Sequence, residues 1–151
     1  MFKKILCPVD FSEFTKDVIT CAADISKQYG AELHVLHVIP NLTYFTPYES
    51  FLTPENLVAM EKNIQDEVDR DFKKVLGEVG IDVRKVVRTG VAFVEIIDYA
   101  KTEGIDLIVM GTHGRSGIEH ILIGNVAEKV VRKSPCPVMT IRPRGKEFKM
   151  P

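Results

Sequence analysis

Cysteine is scarce in this chain, charge is balanced, and no hydrophobic run is long. The three cysteines, Cys7, Cys21 and Cys136, are odd in number and far apart. They form no C-x-x-C pair, so no disulfide framework or redox pair is expected, and buried reduced thiols are the plain reading. No apolar run reaches the ~18 residues of a membrane span. The opening Met1-Phe2-Lys3-Lys4-Ile5-Leu6 lacks the apolar region of a signal peptide. Both absences make a cytoplasmic protein with no membrane partner the expectation. The formal net charge of −1 argues against a nucleic-acid partner. The basic stretch from Arg142 to Lys146 reads as a short solvated tail. The four histidines show no ligand-like spacing. His34 and His37 should face opposite sides of one strand. The Gly-Lys-Ser/Thr of a P-loop is missing, as is a dinucleotide fingerprint after the first strand. Around Ser116 a nucleophile elbow fails, because Ile118 stands where the second glycine is required.

What is present fits one α/β domain. A chain of 151 residues with 45% hydrophobic content can bury a full core. Residues 3–9 form an apolar run ending at Asp10, which reads as a strand. Ser12 is a candidate N-cap for the helix that follows. Val18, Cys21, Ala22, Ile25 and Tyr29 recur at helical spacing down to Gly30, a C-terminal stop. A second strand spans 31–39. The connection from Pro40 to Thr53 carries Tyr44, Phe45, Tyr48 and Phe51 and shows no period, and loops of this length are often functional. Thr53-Pro54 supplies a cap and a first-turn proline. The helix it opens has the stripe Leu57, Ile64, Val68, Phe72, Val75 and Val79. A third strand spans 81–89 and ends at Gly90, and a third helix is marked by Phe93, Ile96, Ile97 and Ala100 and stopped by Gly104. A fourth strand spans 105–110. After a last helix, Pro135 and Pro137 admit a final short strand, Val138 to Ile141, which Pro143 ends. The β-α-β-α-β-α-β-α-β order predicts a parallel sheet covered on both faces, with ligands bound beyond the strands' carboxyl ends. The expected domain spans 1–143 and the tail 144–151.

The most informative segment follows the fourth strand. Gly111 and Gly114 are followed by nine residues and then Gly124, a Gly-x2-Gly-x9-Gly spacing. Strand, glycine loop and helix start in that order can hold a phosphate, since glycines let the backbone approach and helix N-termini offer unpaired N–H groups. In this reading Gly111 turns the chain away from the strand. Gly114 passes close to the phosphate. Gly124 starts the helix with its own N–H and that of Asn125 aimed at the anion. His113 and Arg115 fall inside the loop as candidate phosphate partners. The alternative is a turn-rich loop that uses glycines for its own shape.

This segment resembles the universal stress protein family, in the branch that binds ATP. The opening Lys3 to Ser12, the strand Leu33 to Val38 and the closing Ser134 to Ile141 are similar to blocks of the same family, so the likeness covers nearly the whole chain. Asn125 departs from the family's Ser or Thr. An amide can also donate, and Asn caps helices well, but it is bulkier. The resemblance implies a single-domain, doubly wound, Rossmann-like five-stranded parallel sheet in the order 3-2-1-4-5. It implies ATP as the ligand, with ADP and AMP as alternatives and Mg²⁺ carried with the nucleotide. Asp10 would accept from ribose hydroxyls or reach the phosphate-bound Mg²⁺, and a structural Asp in a strand–helix turn is its alternative. Pro8 and Val9 would line the pocket, Val38 would meet the adenine with its backbone, and Met110, Gly111 and Val126 are counted among the nucleotide-binding residues. A homodimer through Val138 to Ile141 is implied, with regulation rather than turnover and a protein partner not identified. Two other readings stay open. One is a stress protein dimer that binds no nucleotide and acts through protein contacts. The other is a nucleotide-activating transferase, for which the N-terminal loops of such enzymes are missing.

Overall fold

The computed structural model describes residues 1–41, 53–80, 82–112 and 124–142. Nine elements follow in strict alternation: β1 (Lys4–Val9), α1 (Thr15–Tyr29), β2 (Glu32–Ile39), α2 (Pro54–Val79), β3 (Arg84–Thr89), α3 (Ala92–Glu103), β4 (Leu107–Gly111), α4 (Asn125–Lys133) and β5 (Val138–Ile141). The five strands form one sheet in the order β3-β2-β1-β4-β5, and every neighbouring pair is parallel. This is the expected doubly wound topology.

Strand alternation sorts the core into two layers. Ile5 and Cys7 of β1, Leu33 and Val35 of β2, and Leu107 and Val109 of β4 face α1 and α2, where they meet Val18, Ala22 and Phe72. Leu6, Leu36, Ile108 and Met110 face the other way, onto Ile96 and Tyr99 of α3 and Val130 of α4. Both faces are apolar, so the central strands read as continuous hydrophobic runs. His34 is fully buried on the α3 side, with Nδ1 2.9 Å from the Tyr99 hydroxyl. His37 lies on the opposite side with its Nδ1 2.9 Å from the Val9 carbonyl, so the two histidines divide as expected. Burial, with a further push from Cys21, holds the Cys7 thiol well above its ordinary value.

Local signals mostly act as read. Gly30 and Gly104 cap α1 and α3 in the left-handed region, with φ of 63° and 65°. The Thr53 side chain accepts from the Asn56 N–H, and Pro54 opens α2. Three readings need correction. Ser12 does not cap α1: Phe14 stands at the cap, and Ser12 donates its N–H to Asp10 Oδ1 at 3.0 Å. The carboxylate forms a turn that competes with the hydroxyl for the chain entering the helix. Leu57 is 41% exposed, because only the later turns of α2 reach the sheet at Val68 and Phe72. The third strand starts at Arg84, later than its apolar pattern suggested. Among the described residues no helix is long and apolar enough to cross a membrane.

Candidate functional site

In this sheet the strand order reverses between β1 and β4, and a crevice opens beyond their carboxyl ends. Its volume is about 150 Å³, and it is lined by Pro8, Val9 and Asp10 from β1 and the turn after it, Val38 from β2, Met110 and Gly111 from β4, and Val126 from α4. Of the residues singled out in the sequence, these seven come together on one wall system. Gly124 and Asn125 sit at the start of α4, next to Val126. His113, Gly114, Arg115 and the aromatic segment from Tyr44 to Phe51 lie outside the described residues.

The floor is shaped by the turn after β1. Asp10 Oδ1 accepts the Ser12 N–H at 3.0 Å and the Thr15 hydroxyl at 3.4 Å. Phe11 holds a φ of 56°, rare for a residue with a Cβ. Its ring lies 4.5 Å from that of His37 and meets Phe72 edge-on at 5.0 Å. Those contacts hold a backbone conformation that costs about 1–3 kcal/mol by itself. A carbonyl can only accept, so the His37 Nδ1 facing Val9 carries the proton. His37 and Ala92 line the crevice but carry no sequence motif. Alternation along β2, combined with the strand order that the resemblance implies, is the signal that could have marked His37.

The glycine segment is built differently from its reading. Gly111 does not turn the chain; it is the last residue of β4 and pairs with Ile141 of β5. Gly124 does start the helix, as its N-cap in extended backbone with φ −63° and ψ 155°. Its N–H, however, is not aimed outward, because it donates to the Thr112 carbonyl at 2.6 Å. That bond joins the two ends of the connection between β4 and α4. Thr112 is itself buried, and its N–H reaches the Ile141 carbonyl at 3.0 Å. The first intrahelical bond runs from the Glu128 N–H to the Gly124 carbonyl at 2.9 Å. The N–H groups of Asn125, Val126 and Ala127 therefore stand outside the helical ladder, and the positive end of the α4 dipole faces the crevice rim where Val126 and Ala127 line it. Among the described residues no three His, Cys, Asp or Glu are grouped to hold a metal.

An apolar slot with a helix N-terminus at one end can take a flat apolar group and an anion tethered to it. Known proteins share this architecture. Universal stress protein MJ0531 of Methanocaldococcus jannaschii is 32% identical over 147 residues, 97% of this chain and 86% of that protein. The solved structure of hypothetical protein MJ0577, from the same organism, has a TM-score of 0.75 at 32% identity, covering 96% of this chain and 99% of that one. The structure of universal stress protein UspA from Lactobacillus plantarum has a TM-score of 0.74 at 30% identity, covering 93% and 98%. The profile of the universal stress protein family matches residues 1–142, and the chain belongs to that family.

Proposed function

We propose that the crevice binds an adenine nucleotide, ATP foremost with ADP and AMP as alternatives, and that the protein is a regulatory stress-response module with little or no turnover. The observation that carries this reading is the convergence of an apolar slot and the N-terminus of α4. The adenine would lie between Val9, Val38 and Met110, with the Val38 backbone at its edge. The phosphates would meet the N–H groups of Asn125 and Val126, where the helix dipole favours negative charge. Gly111 would keep the wall beside them open, and His113, Gly114 and Arg115, outside the described residues, are the further candidates for phosphate contact. Asp10 is the one carboxylate among the described lining residues. A single carboxylate suits Mg²⁺ that arrives on the phosphates better than a metal site of its own. Asp10 would then orient the ribose or the water shell of that ion. The protein would act as a cytoplasmic homodimer paired through β5, and the nucleotide would alter its affinity for a protein partner.

A second reading, a dimer that binds no nucleotide, is favoured by one observation. The Gly124 N–H, which a phosphate would otherwise use, is already bonded within the chain. Denaturing the purified protein and identifying any released nucleotide by chromatography separates the two. Titration of ATP, ADP and AMP into stripped protein is the companion measurement. Released or micromolar-binding adenine nucleotide supports the first reading. No binding of any of the three to folded protein overturns it in favour of the second.

A further inference from the structure

The turn between β1 and α1 brings two polar residues to the crevice with a strained one between them. Asp10 and Ser12 both line it, and Phe11, with its φ of 56°, separates them. That conformation costs free energy for a residue with a Cβ, and such outliers cluster where a fold positions groups for a ligand. The Ser12 backbone is held on both sides. Its N–H donates to Asp10 Oδ1 at 3.0 Å, and its carbonyl accepts the Thr15 N–H at 3.0 Å. Thr15 adds its hydroxyl to the same Asp10 oxygen at 3.4 Å. The Ser12 hydroxyl takes part in none of this. It does not cap α1, where Phe14 stands at the cap, and among the described residues it makes no hydrogen bond.

Three features say what that hydroxyl suits. It stands on a one-carbon side chain, so fixing the Ser12 backbone in the lining leaves it a single rotatable bond. It neighbours the Asp10 carboxylate, because the bond from the Ser12 N–H joins the two residues directly. Finally, it belongs to the α1 side of the sheet, whereas α4, whose N-terminus favours an anion, packs on the opposite face. A hydroxyl that can donate and accept, set beside a carboxylate that only accepts, matches two neighbouring hydroxyls better than it matches a phosphate. A nucleotide carries such a pair on its ribose.

We propose that Ser12 is a specificity-determining residue whose hydroxyl bonds one of the two ribose hydroxyls while Asp10 accepts from the other, so that the crevice selects ribonucleotides over their deoxy forms. This inference rests on the nucleotide reading of the crevice and adds the part of the ligand that Ser12 reads. A ligand lacking the partner hydroxyl covers Ser12 without bonding it, and leaves a polar group both desolvated and unpaired. Phe11 is a positioning residue in this arrangement: its left-handed backbone sets Ser12 against the crevice instead of at the cap of α1.

The test is calorimetric titration of ATP, 2′-deoxy-ATP and 3′-deoxy-ATP into nucleotide-stripped wild type and Ser12→Ala. Thermal melting without ligand checks that the variant is folded; the hydroxyl serves no bond among the described residues, so its loss should spare the fold. Wild type is expected to bind ATP more tightly than either deoxy form. Ser12→Ala should lose about fivefold for ATP and for the deoxy form that keeps the Ser12 partner, and less than about twofold for the other. An equal loss for all three ligands, no loss for any, or a wild type that binds the three alike overturns the inference and leaves the crevice reading standing. If wild type binds none of them, the crevice reading falls and this inference falls with it.

Discussion

Asp10 and Phe11 carry two demands in adjacent positions. The carboxylate folds back on the Ser12 N–H and the Thr15 hydroxyl, and the next residue takes a left-handed conformation so that its ring can reach His37 and Phe72. The sequence showed an acid at a strand end, but not that this acid would displace Ser12 as the organiser of the turn. Propensity names several residues that can cap a helix, and only the three-dimensional path selects one. Gly90 makes the same point from the other side. In the sequence it marks the end of a strand, yet its φ is 153°, and a Cβ placed there would lie 2.7 Å from Glu95 Oε1 and 3.0 Å from Glu95 Cγ. Glu95 could swing away, but it would then leave Arg88, 4.0 Å from its carboxylate, and the backbone strain would remain. Gly90→Ala is expected to destabilise the protein by about 1–2 kcal/mol. The effect would be read as a lower urea midpoint at unchanged slope; an unchanged midpoint would show that the strand end relaxes freely.

At the level of elements, the sheet has two unlike edges. β3 carries Arg84, Lys85 and Arg88, charges that discourage pairing with another chain. β5 carries Val-Met-Thr-Ile, and Met139 is 41% exposed. The Pro137 and Ile141 carbonyls accept from Ile108 and Thr112 of the β4 side. By alternation, the backbone groups of Val138 and Thr140 point off the sheet. This permits a sharp test of the proposed dimer. Thr140→Pro removes one outward donor without taking a bond from β4, so it should shift a dimer to monomer in sedimentation while the monomer stays folded. A dimer that persists would place the interface elsewhere. The boundaries of β5 were legible because prolines bracket it and its four residues are apolar or β-favouring. The strand order was not legible from periodicity, because alternation of strand and helix permits several orders. It came from the resemblance, and with it came the convergence of β1, β2 and β4 on one crevice. His37 and Ala92 also line the crevice, but neither belongs to a motif that marks it as part of the site.

Across the whole molecule, one side chain at the end of the sheet remote from the crevice ties two distant parts of the chain together. Asp106, just before β4, accepts the N–H of Lys3 at 2.8 Å and of Lys4 at 2.9 Å. Those two bonds hold its carboxyl below the usual carboxylate range. A carboxyl whose pKa is lower folded than unfolded stabilises the fold above the unfolded value, about 3.9, and loses that contribution as pH falls through the lowered one. Wild type should therefore lose more stability than Asp106→Asn between pH 5 and pH 3, as read from urea midpoints of both proteins. Equal losses would mean that the tie contributes nothing measurable. The two layers of the core were plain in the sequence as apolar runs. Asp106 was not, since its partners lie about a hundred residues earlier in the chain.

The bond from the Gly124 N–H to the Thr112 carbonyl has a consequence in polymer terms. It fastens the neck of the segment that separates β4 from α4, and Thr112 is anchored in turn to Ile141. Closing a flexible loop costs entropy that grows only with the logarithm of its length, about 0.6 kcal/mol for each doubling. With the neck fastened by the fold itself, the closure of that connection is secured by the residues that bracket it. Residues between the two anchors can then be added, removed or exchanged at little expense to the strand and helix that bracket them. Changes in the length or composition of that connection can thus accumulate while the scaffold outside it stays the same.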